Sequence, residues 1–195
     1  MTYYKQFLIV MALSIYAGMA DAHVGAGVSG GFTSGFTHPI FGWDHVAAMF
    51  AVGLWGAFLG YPAIWILPVV FPLVMAFGGA FGVMGIPIPA VETGIAVSAI
   101  VLGIMVAFAV RPPIWVAALI VGAFAIFHGH AHGTELPVAA NPLAFSLGFV
   151  VATGMLHLLG IAFGLLVRWP IGQVAVQAGG GVIALAGVGF LTGIV

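Results

Sequence analysis

The chain has 195 residues, of which 64% are hydrophobic and 4% are charged; its net charge is -1 and its mean hydropathy is +1.30. A chain of this size cannot hide so much apolar surface from water, which excludes a soluble domain and indicates an integral membrane protein. Three cationic residues are too few for a nucleic-acid-binding patch. The sequence contains no cysteine, which excludes disulfides and thiolate metal sites.

Residues 1–22 have the three parts of a secretory signal peptide. Lys5 supplies the positive start, an apolar core follows, and Ala20-Asp21-Ala22 forms a small-x-small cleavage site. An uncleaved first helix is the alternative. Cleavage leaves residues 23–195 as one membrane domain. The new terminal residue, His23, is then either incidental or an extra metal ligand through its imidazole and free amine.

Residues 24–37 are rich in Gly, Ser and Thr, which predicts an outer lead-in or a short re-entrant piece. Within them Gly27-Val28-Ser29-Gly30 matches the serine motif of rhomboid intramembrane proteases. The match covers four residues, three of them small, and lies on no convincing helix. A protease that uses Ser29 or a histidine-bound zinc is therefore the least favoured function.

Two imidazoles and a carboxylate stand at the start of the next apolar run. His38 and His45 are seven residues apart, so an unbroken helix would place them on one face. Pro39 and Gly42 disfavour an unbroken helix, and we expect a kinked entrance that folds His38 back toward Asp44 and His45. Ionisable residues at membrane depth are functional candidates. Nitrogen and oxygen ligands together suit nickel, cobalt or zinc.

Six hydrophobic spans follow, each near the roughly 20 residues needed to cross a bilayer. They cover about 41–60, 62–84, 91–110, 113–130, 143–167 and 172–194, and prolines and glycines mark the joints. The sequence therefore predicts an all-α integral membrane protein, a compact bundle of about six transmembrane helices after a cleavable signal peptide.

The few charged residues predict an orientation in the bacterial inner membrane. With the signal cleaved, the mature N-terminus is periplasmic, and Arg111 and Arg168 both fall on the cytoplasmic side, as the positive-inside rule expects. Glu92, Glu135 and nearly all the histidines then fall on the outer side. Acidic and imidazole groups are thus predicted to share one membrane face.

A second polar segment closes the fourth span. His128, His132 and Glu135 share one helix face if the helix persists, and two histidines at i and i+4 with a carboxylate are a metal-site geometry when another such group approaches. His130 is expected to point the other way, toward water. A solvated polar loop is the alternative.

Three further residues have weaker indications. His157 lies inside the fifth span and is either a hydrogen-bonded tie between helices or a pathway residue that supports the site. Glu92 opens the third span, where it either interacts with the helix N-terminus or attracts the ion. Met49, one turn after His45, either packs between helices or offers a soft sulfur to a passing metal.

Three segments resemble the HupE/UreJ family of bacterial nickel permeases, which are hydrogenase and urease accessory proteins. Residues 38–54 match the family pattern His-Pro-x-x-Gly-x-Asp-His-x-x-x-Met-x-x-Val-Gly-Leu. Residues 127–135 match Phe-His-Gly-x-Ala-His-Gly-x-Glu, and residues 156–160 look like the shorter Leu-His-x-x-Gly pattern. The signal peptide and the six spans agree, so the resemblance covers the whole chain.

The resemblance implies uptake of Ni²⁺, with Co²⁺ as the alternative, to supply hydrogenase or urease. It implies metal-handling roles for His38, Asp44, His45, Glu92, His132 and Glu135, with His128 and His157 alongside. The residues themselves imply only a divalent cation passing through nitrogen and oxygen ligands in an outer vestibule. We expect a permease and not an enzyme, with no tightly bound cofactor, whose partners are the metal ion and the lipid bilayer.

The main alternative belongs to another class of protein. A membrane bundle with histidines on two helices can hold a b-type haem through paired imidazoles and act as an electron carrier. A haem requires facing histidines and room for its ring, whereas carboxylates beside the histidines favour a metal ion. An absorption spectrum separates the two, because a bound haem has a Soret band.

Overall fold

The computed structural model describes residues 31–136 and 141–194. Within these residues the chain is helical and has no strand. The elements are α1 (Gly31–Phe41), α2 (Trp43–Leu59), α3 (Ala63–Val83), α4 (Val91–Ala107), α5 (Ile114–Thr134), α6 (Pro142–Gly164), a 3-10 turn (Leu165–Arg168) and α7 (Pro170–Thr192). The predictions for the signal peptide at 1–22, for His23 and for Ser29 lie outside the described residues.

Four helices, α3, α5, α6 and α7, are each long and apolar enough to cross a membrane. Helices α1 and α2 meet that condition only as a pair, which is bent by 81°. Helix α4 has 17 residues, about 26 Å at 1.5 Å per residue, less than the roughly 30 Å of a bilayer core. The described part of the chain is therefore a multi-pass membrane protein with four or five candidate spans. The predicted count of six, which corresponds to α2–α7, stays a prediction.

Prolines and asparagine mark the helix starts that the sequence predicted. Pro113 precedes the first residue of α5, while Pro142 and Pro170 begin α6 and α7. At the first position of a helix the backbone N–H has no partner within the helix, so a proline there costs no hydrogen bond. The side chain of Asn141 caps α6 by accepting hydrogen bonds from the backbone N–H groups of Leu143 (3.0 Å) and Ala144 (3.1 Å). The α6 start is thus locally encoded.

Helix α2 is the central element of the bundle. Every residue from Ala51 to Phe58 is buried, and α2 packs against α3, α4, α6 and α7. Large apolar side chains on the outer helices are exposed instead, among them Leu73 and Phe77 on α3 and Leu185 on α7. An exposed apolar surface of this extent is expected of a protein whose solvent is lipid.

Glycines allow the backbones of paired helices to touch, as in other membrane bundles. A Cβ on Gly78 would overlap the carbonyl of Ile126, and one on Gly129 would overlap that of Met75, so α3 lies directly on α5. Gly53 of α2 faces the carbonyl of His157 on α6 in the same way. These contacts set the depth at which histidines on different helices meet.

Gly129→Ala is expected to lower the thermal unfolding midpoint of the detergent-solubilised protein, because overpacking costs about 1–3 kcal/mol. Gly154 on α6 has open space where a Cβ would lie, so Gly154→Ala is expected to favour its helix by about 0.5–1 kcal/mol. The same melt measures both variants. Shifts of equal sign and size would contradict the close approach of α3 and α5 at Gly129.

Candidate metal centre

The bend at Gly42 returns His38 to the neighbourhood of His45. In a straight helix seven residues span about 10.5 Å along the axis, whereas here the two ring centroids are 6.3 Å apart. The backbone N–H of Gly42 still donates to the carbonyl of His38 (3.3 Å), and that of Val46 donates to the carbonyl of Gly42 (2.8 Å). The predicted kink at the start of the first apolar run is confirmed.

The end of α5 inserts its histidines beside that bend. The His132 ring lies 4.8 Å from the His38 ring and 4.4 Å from the His45 ring, measured between centroids. One turn earlier on α5, the His128 ring lies 5.2 Å from that of His45. We call His38, His45, His128 and His132 the histidine cluster. Segments 90 residues apart in sequence thus meet in one site.

A carboxylate completes the outer side of this cluster. Glu135 Oε2 lies 3.0 Å from His38 Nε2 and 3.9 Å from His132 Nδ1, and one ligand atom from each of the three residues falls within 4.8 Å of the others. The hydrogen bond with His38 holds the pKa of the Glu135 carboxyl below its usual value. Glu135 therefore remains a carboxylate in mildly acidic surroundings.

Two imidazoles of the cluster are oriented through Nδ1. His45 Nδ1 lies 2.6 Å from Asp44 Oδ1, and His128 Nδ1 lies 3.0 Å from the carbonyl of Phe124. Because an ionised carboxylate and a carbonyl can only accept, Nδ1 carries the proton in both rings, and the Nε2 of each neutral imidazole carries a lone pair. Histidines that bind metals are held by this kind of second hydrogen bond.

The lone pairs of the cluster are buried and unused by the protein. In the part of the chain that the structure describes, Nε2 of His45, Nε2 of His128 and both ring nitrogens of His132 have no hydrogen-bond partner. Leaving such a group buried costs about 1–3 kcal/mol. A divalent cation with borderline softness would satisfy Nε2 of His45, Nε2 of His128 and the unprotonated nitrogen of His132.

Exposure decreases from the rim of the site inward. The side chain of Glu135 is 50% exposed and that of His38 34%, whereas His132 is 7% exposed. His128 is completely buried, and the Phe149 ring lies 4.1 Å from that of His132. The cluster is thus a graded path from a polar rim to an apolar interior.

Glu92 lies outside this cluster. It occupies the first turn of α4, is exposed, and lines a groove of about 1070 Å³ together with Trp43, Asp44 and residues of α7. Glu92 and Asp44 therefore place two carboxylates on one opening next to the cluster. The sequence left two roles open for Glu92, interaction with the helix N-terminus or attraction of the ion. Its position on this groove is compatible with attraction of the ion.

The expectation that His130 faces water is wrong. His130 points away from the cluster, but it is buried and its Nε2 lies 2.8 Å from the carbonyl of Ile86. The turn between α3 and α4, where Gly85 takes a φ of 69°, brings that carbonyl over the end of α5. The spacing along one helix predicts the direction in which a side chain points. It does not predict which group of a distant loop that side chain will contact.

Met49 and His157 lie deeper in the bundle than the histidine cluster. Met49 is fully buried, and the hydroxyl of Thr153 on α6 donates to its sulfur at 3.4 Å, so it packs between α2 and α6. His157 is 2% exposed, and the ring of Phe71 contacts both His157 and His128. No motif pointed to Phe71 or Phe149, because their importance depends on tertiary contacts alone.

Comparisons with known proteins agree with the motifs. The chain matches the family described as HupE / UreJ protein over residues 11–190. It is 45% identical to Protein HupE of Rhizobium leguminosarum bv. viciae over 190 residues, which covers 97% of this chain and 99% of that protein. No solved structure was found to match the chain.

Proposed function

The chain belongs to the HupE/UreJ family, and we propose that it is a permease that carries Ni²⁺, with Co²⁺ as the alternative, inward across the bacterial inner membrane. The cation then supplies the maturation of a hydrogenase or a urease. The preference for nickel, and the link to those enzymes, come from the resemblance to nickel permeases. The donor atoms by themselves support a divalent metal of borderline softness.

The observation that carries this proposal is the convergence of unused imidazole nitrogens. Four histidines from α1, α2 and α5 meet beside Glu135, and several of their buried nitrogens have no partner among the described residues. Imidazole and carboxylate ligands suit Ni²⁺ and Co²⁺, whereas Mg²⁺ prefers an octahedron of oxygens and keeps its water. The site therefore favours a transition metal.

The carboxylates attract the hydrated cation, and the imidazoles replace its water. Glu135 at the rim and Asp44 and Glu92 on the outer groove provide negative charge where solvent reaches the protein. His38 and His132 then offer nitrogen ligands, and His45 and His128 lie further in. A permease has to bind its ion well enough to select it and weakly enough to release it, which mixed nitrogen and oxygen ligands without thiolate allow.

The membrane orientation in this proposal is supported by the position of the charges. The cluster lies at the start of α2 and the end of α5, whereas Arg111 precedes α5 and Arg168 follows α6, at the opposite end of the bundle. The positive-inside rule assigns the arginine end to the cytoplasm. The histidine cluster is then the periplasmic mouth.

The alternative of a haem-binding electron carrier gains no support from this arrangement. The imidazole rings of the cluster contact one another, with centroids 4.4–6.3 Å apart, and leave no slot for a macrocycle between them. A Soret band in the purified protein would favour the haem after all.

Uptake into proteoliposomes tests the proposal. The purified protein is expected to accumulate radioactive Ni²⁺, with inhibition by excess Co²⁺ and none by excess Mg²⁺, because only the transition metals compete for imidazole. Protein-free liposomes are the control for leakage. No accumulation above that control, or equal inhibition by Mg²⁺, would contradict the proposed function.

A further inference from the structure

His157 is an ionisable side chain in the middle of the bundle, beyond the histidine cluster. It is 2% exposed, and its Nε2 has no hydrogen-bond partner within residues 31–136 and 141–194. Burying an imidazole at this depth is unfavourable, and ionisable groups there are functional candidates. A hydrogen-bonded tie between helices would use one ring nitrogen and would leave Nε2 unexplained.

The backbone of α3 explains how the ring is held. Pro72 has no N–H, so the carbonyl of Pro68, one turn earlier, lacks the donor that an unbroken helix would supply. The freed carbonyl of Pro68 lies beside the His157 ring. Nε2 has no partner, so a proton on Nδ1 would serve the Pro68 carbonyl and leave the lone pair of the neutral ring on Nε2. This is the tautomer that the Nδ1 hydrogen bonds of His45 and His128 require.

A single aromatic ring contacts both His157 and the cluster. The fully buried ring of Phe71 lies 5.4 Å from the His128 ring and 5.4 Å from the His157 ring, edge to face with both. Phenylalanine offers no metal ligand, so the two imidazoles are separate nitrogen sites with a shared apolar neighbour.

We propose that His157 is an inner metal-binding residue, which accepts a dehydrated divalent cation of the Ni²⁺ and Co²⁺ class from His128 past Phe71. The inference rests on the proposed function, and it adds a second binding step to the outer one. Pro72 is a positioning residue in this scheme, because the carbonyl that it frees orients the imidazole of His157.

Two measurements on the same variant separate this role from outer binding. His157→Gln keeps an N–H donor for the Pro68 carbonyl but lacks the imidazole ligand. In detergent, the Ni²⁺ affinity of its outer cluster is expected to stay within about twofold of the wild-type value, since the ligands of that cluster are unchanged, whereas binding at the inner site is lost. In proteoliposomes, its initial rate of Ni²⁺ uptake is expected to fall at least about tenfold, the range seen when groups that support a metal site are removed.

A matched proline pair tests the positioning. Pro72→Ala restores the N–H that competes with His157 for the Pro68 carbonyl, so it is expected to slow uptake without removing any ligand. Pro68→Ala leaves both that carbonyl and Pro72 in place, and its uptake rate is expected to stay near that of the wild type. Thermal melts of all three variants report whether the bundle is folded.

Three results would overturn the inference. Wild-type uptake by His157→Gln would show that His157 only ties α6 to α3, and so would loss of uptake in His157→Ala that glutamine rescues. In both cases the proposed function stands, because wild-type uptake and outer binding are unaffected. A wild-type protein that neither binds nor accumulates Ni²⁺ would overturn the proposed function, and this inference with it.

Discussion

His132→Ala is expected to lower the Ni²⁺ affinity of the purified protein by about 100-fold or more and to abolish uptake. His132 lies between His38 and His45, and both of its nitrogens are buried without a hydrogen-bond partner in the described ranges. Loss of groups that merely support a metal ligand costs 10–100-fold in affinity or activity, and loss of a central ligand should cost at least as much. Calorimetric titration with Ni²⁺ measures the affinity.

The matched control for His132→Ala is His130→Gln. His130 lies two residues away on the same helix, but its ring hydrogen-bonds to the carbonyl of Ile86 instead of joining the cluster. Glutamine can still donate to that carbonyl, so this variant should bind Ni²⁺ like the wild type. Equal losses in both variants would mean that the end of α5 had been disturbed as a whole, and unchanged binding in His132→Ala would exclude the cluster as the metal site.

Asp44→Asn is expected to reduce Ni²⁺ uptake by about 10–100-fold, the range for groups that orient a metal ligand. The Asp44 carboxylate accepts from both the backbone N–H (2.8 Å) and the Nδ1 of His45 (2.6 Å). An amide lacks the charge that favours a proton on Nδ1 and a lone pair on Nε2. Uptake of radioactive Ni²⁺ into proteoliposomes is the measurement.

A double-mutant cycle shows how Asp44 acts. If Asp44 acts by orienting His45, then Asp44→Asn adds little once His45→Ala is present, because interacting residues are not additive. If Asp44 instead attracts the ion through the outer groove that it shares with Glu92, the two losses multiply. Wild-type uptake in the single variant Asp44→Asn would contradict both roles.

The local consequences of sequence were largely predictable. Pro39 and Gly42 predicted the break that returns His38, and the spacing of His128 and His132 predicted their common face, since both depend on backbone geometry within a few residues. The starts of α5, α6 and α7 fall at prolines that marked the predicted joints, for the same reason. Family membership was likewise readable from contiguous motifs.

Non-local contacts could not be predicted in this way. The burial of His130 depends on the Ile86 carbonyl, 44 residues earlier, and the contact that His128 and His157 share depends on how Phe71 of α3 reaches α5 and α6. The separation of Glu92 from the cluster depends on where α4 packs. None of these contacts produces a motif or a periodic pattern in the sequence from which it could be predicted.

By itself, the sequence determined that this is a membrane protein and where its helices begin and break. It also determined that nitrogen and oxygen ligands lie in two segments of the chain. Only the tertiary structure decided which of those ligands face each other, because the close glycine contacts between helices set their relative depth and rotation. A hydrogen-bond donor or a helix break acts over one turn, whereas a metal site requires several helices to meet within a few ångströms.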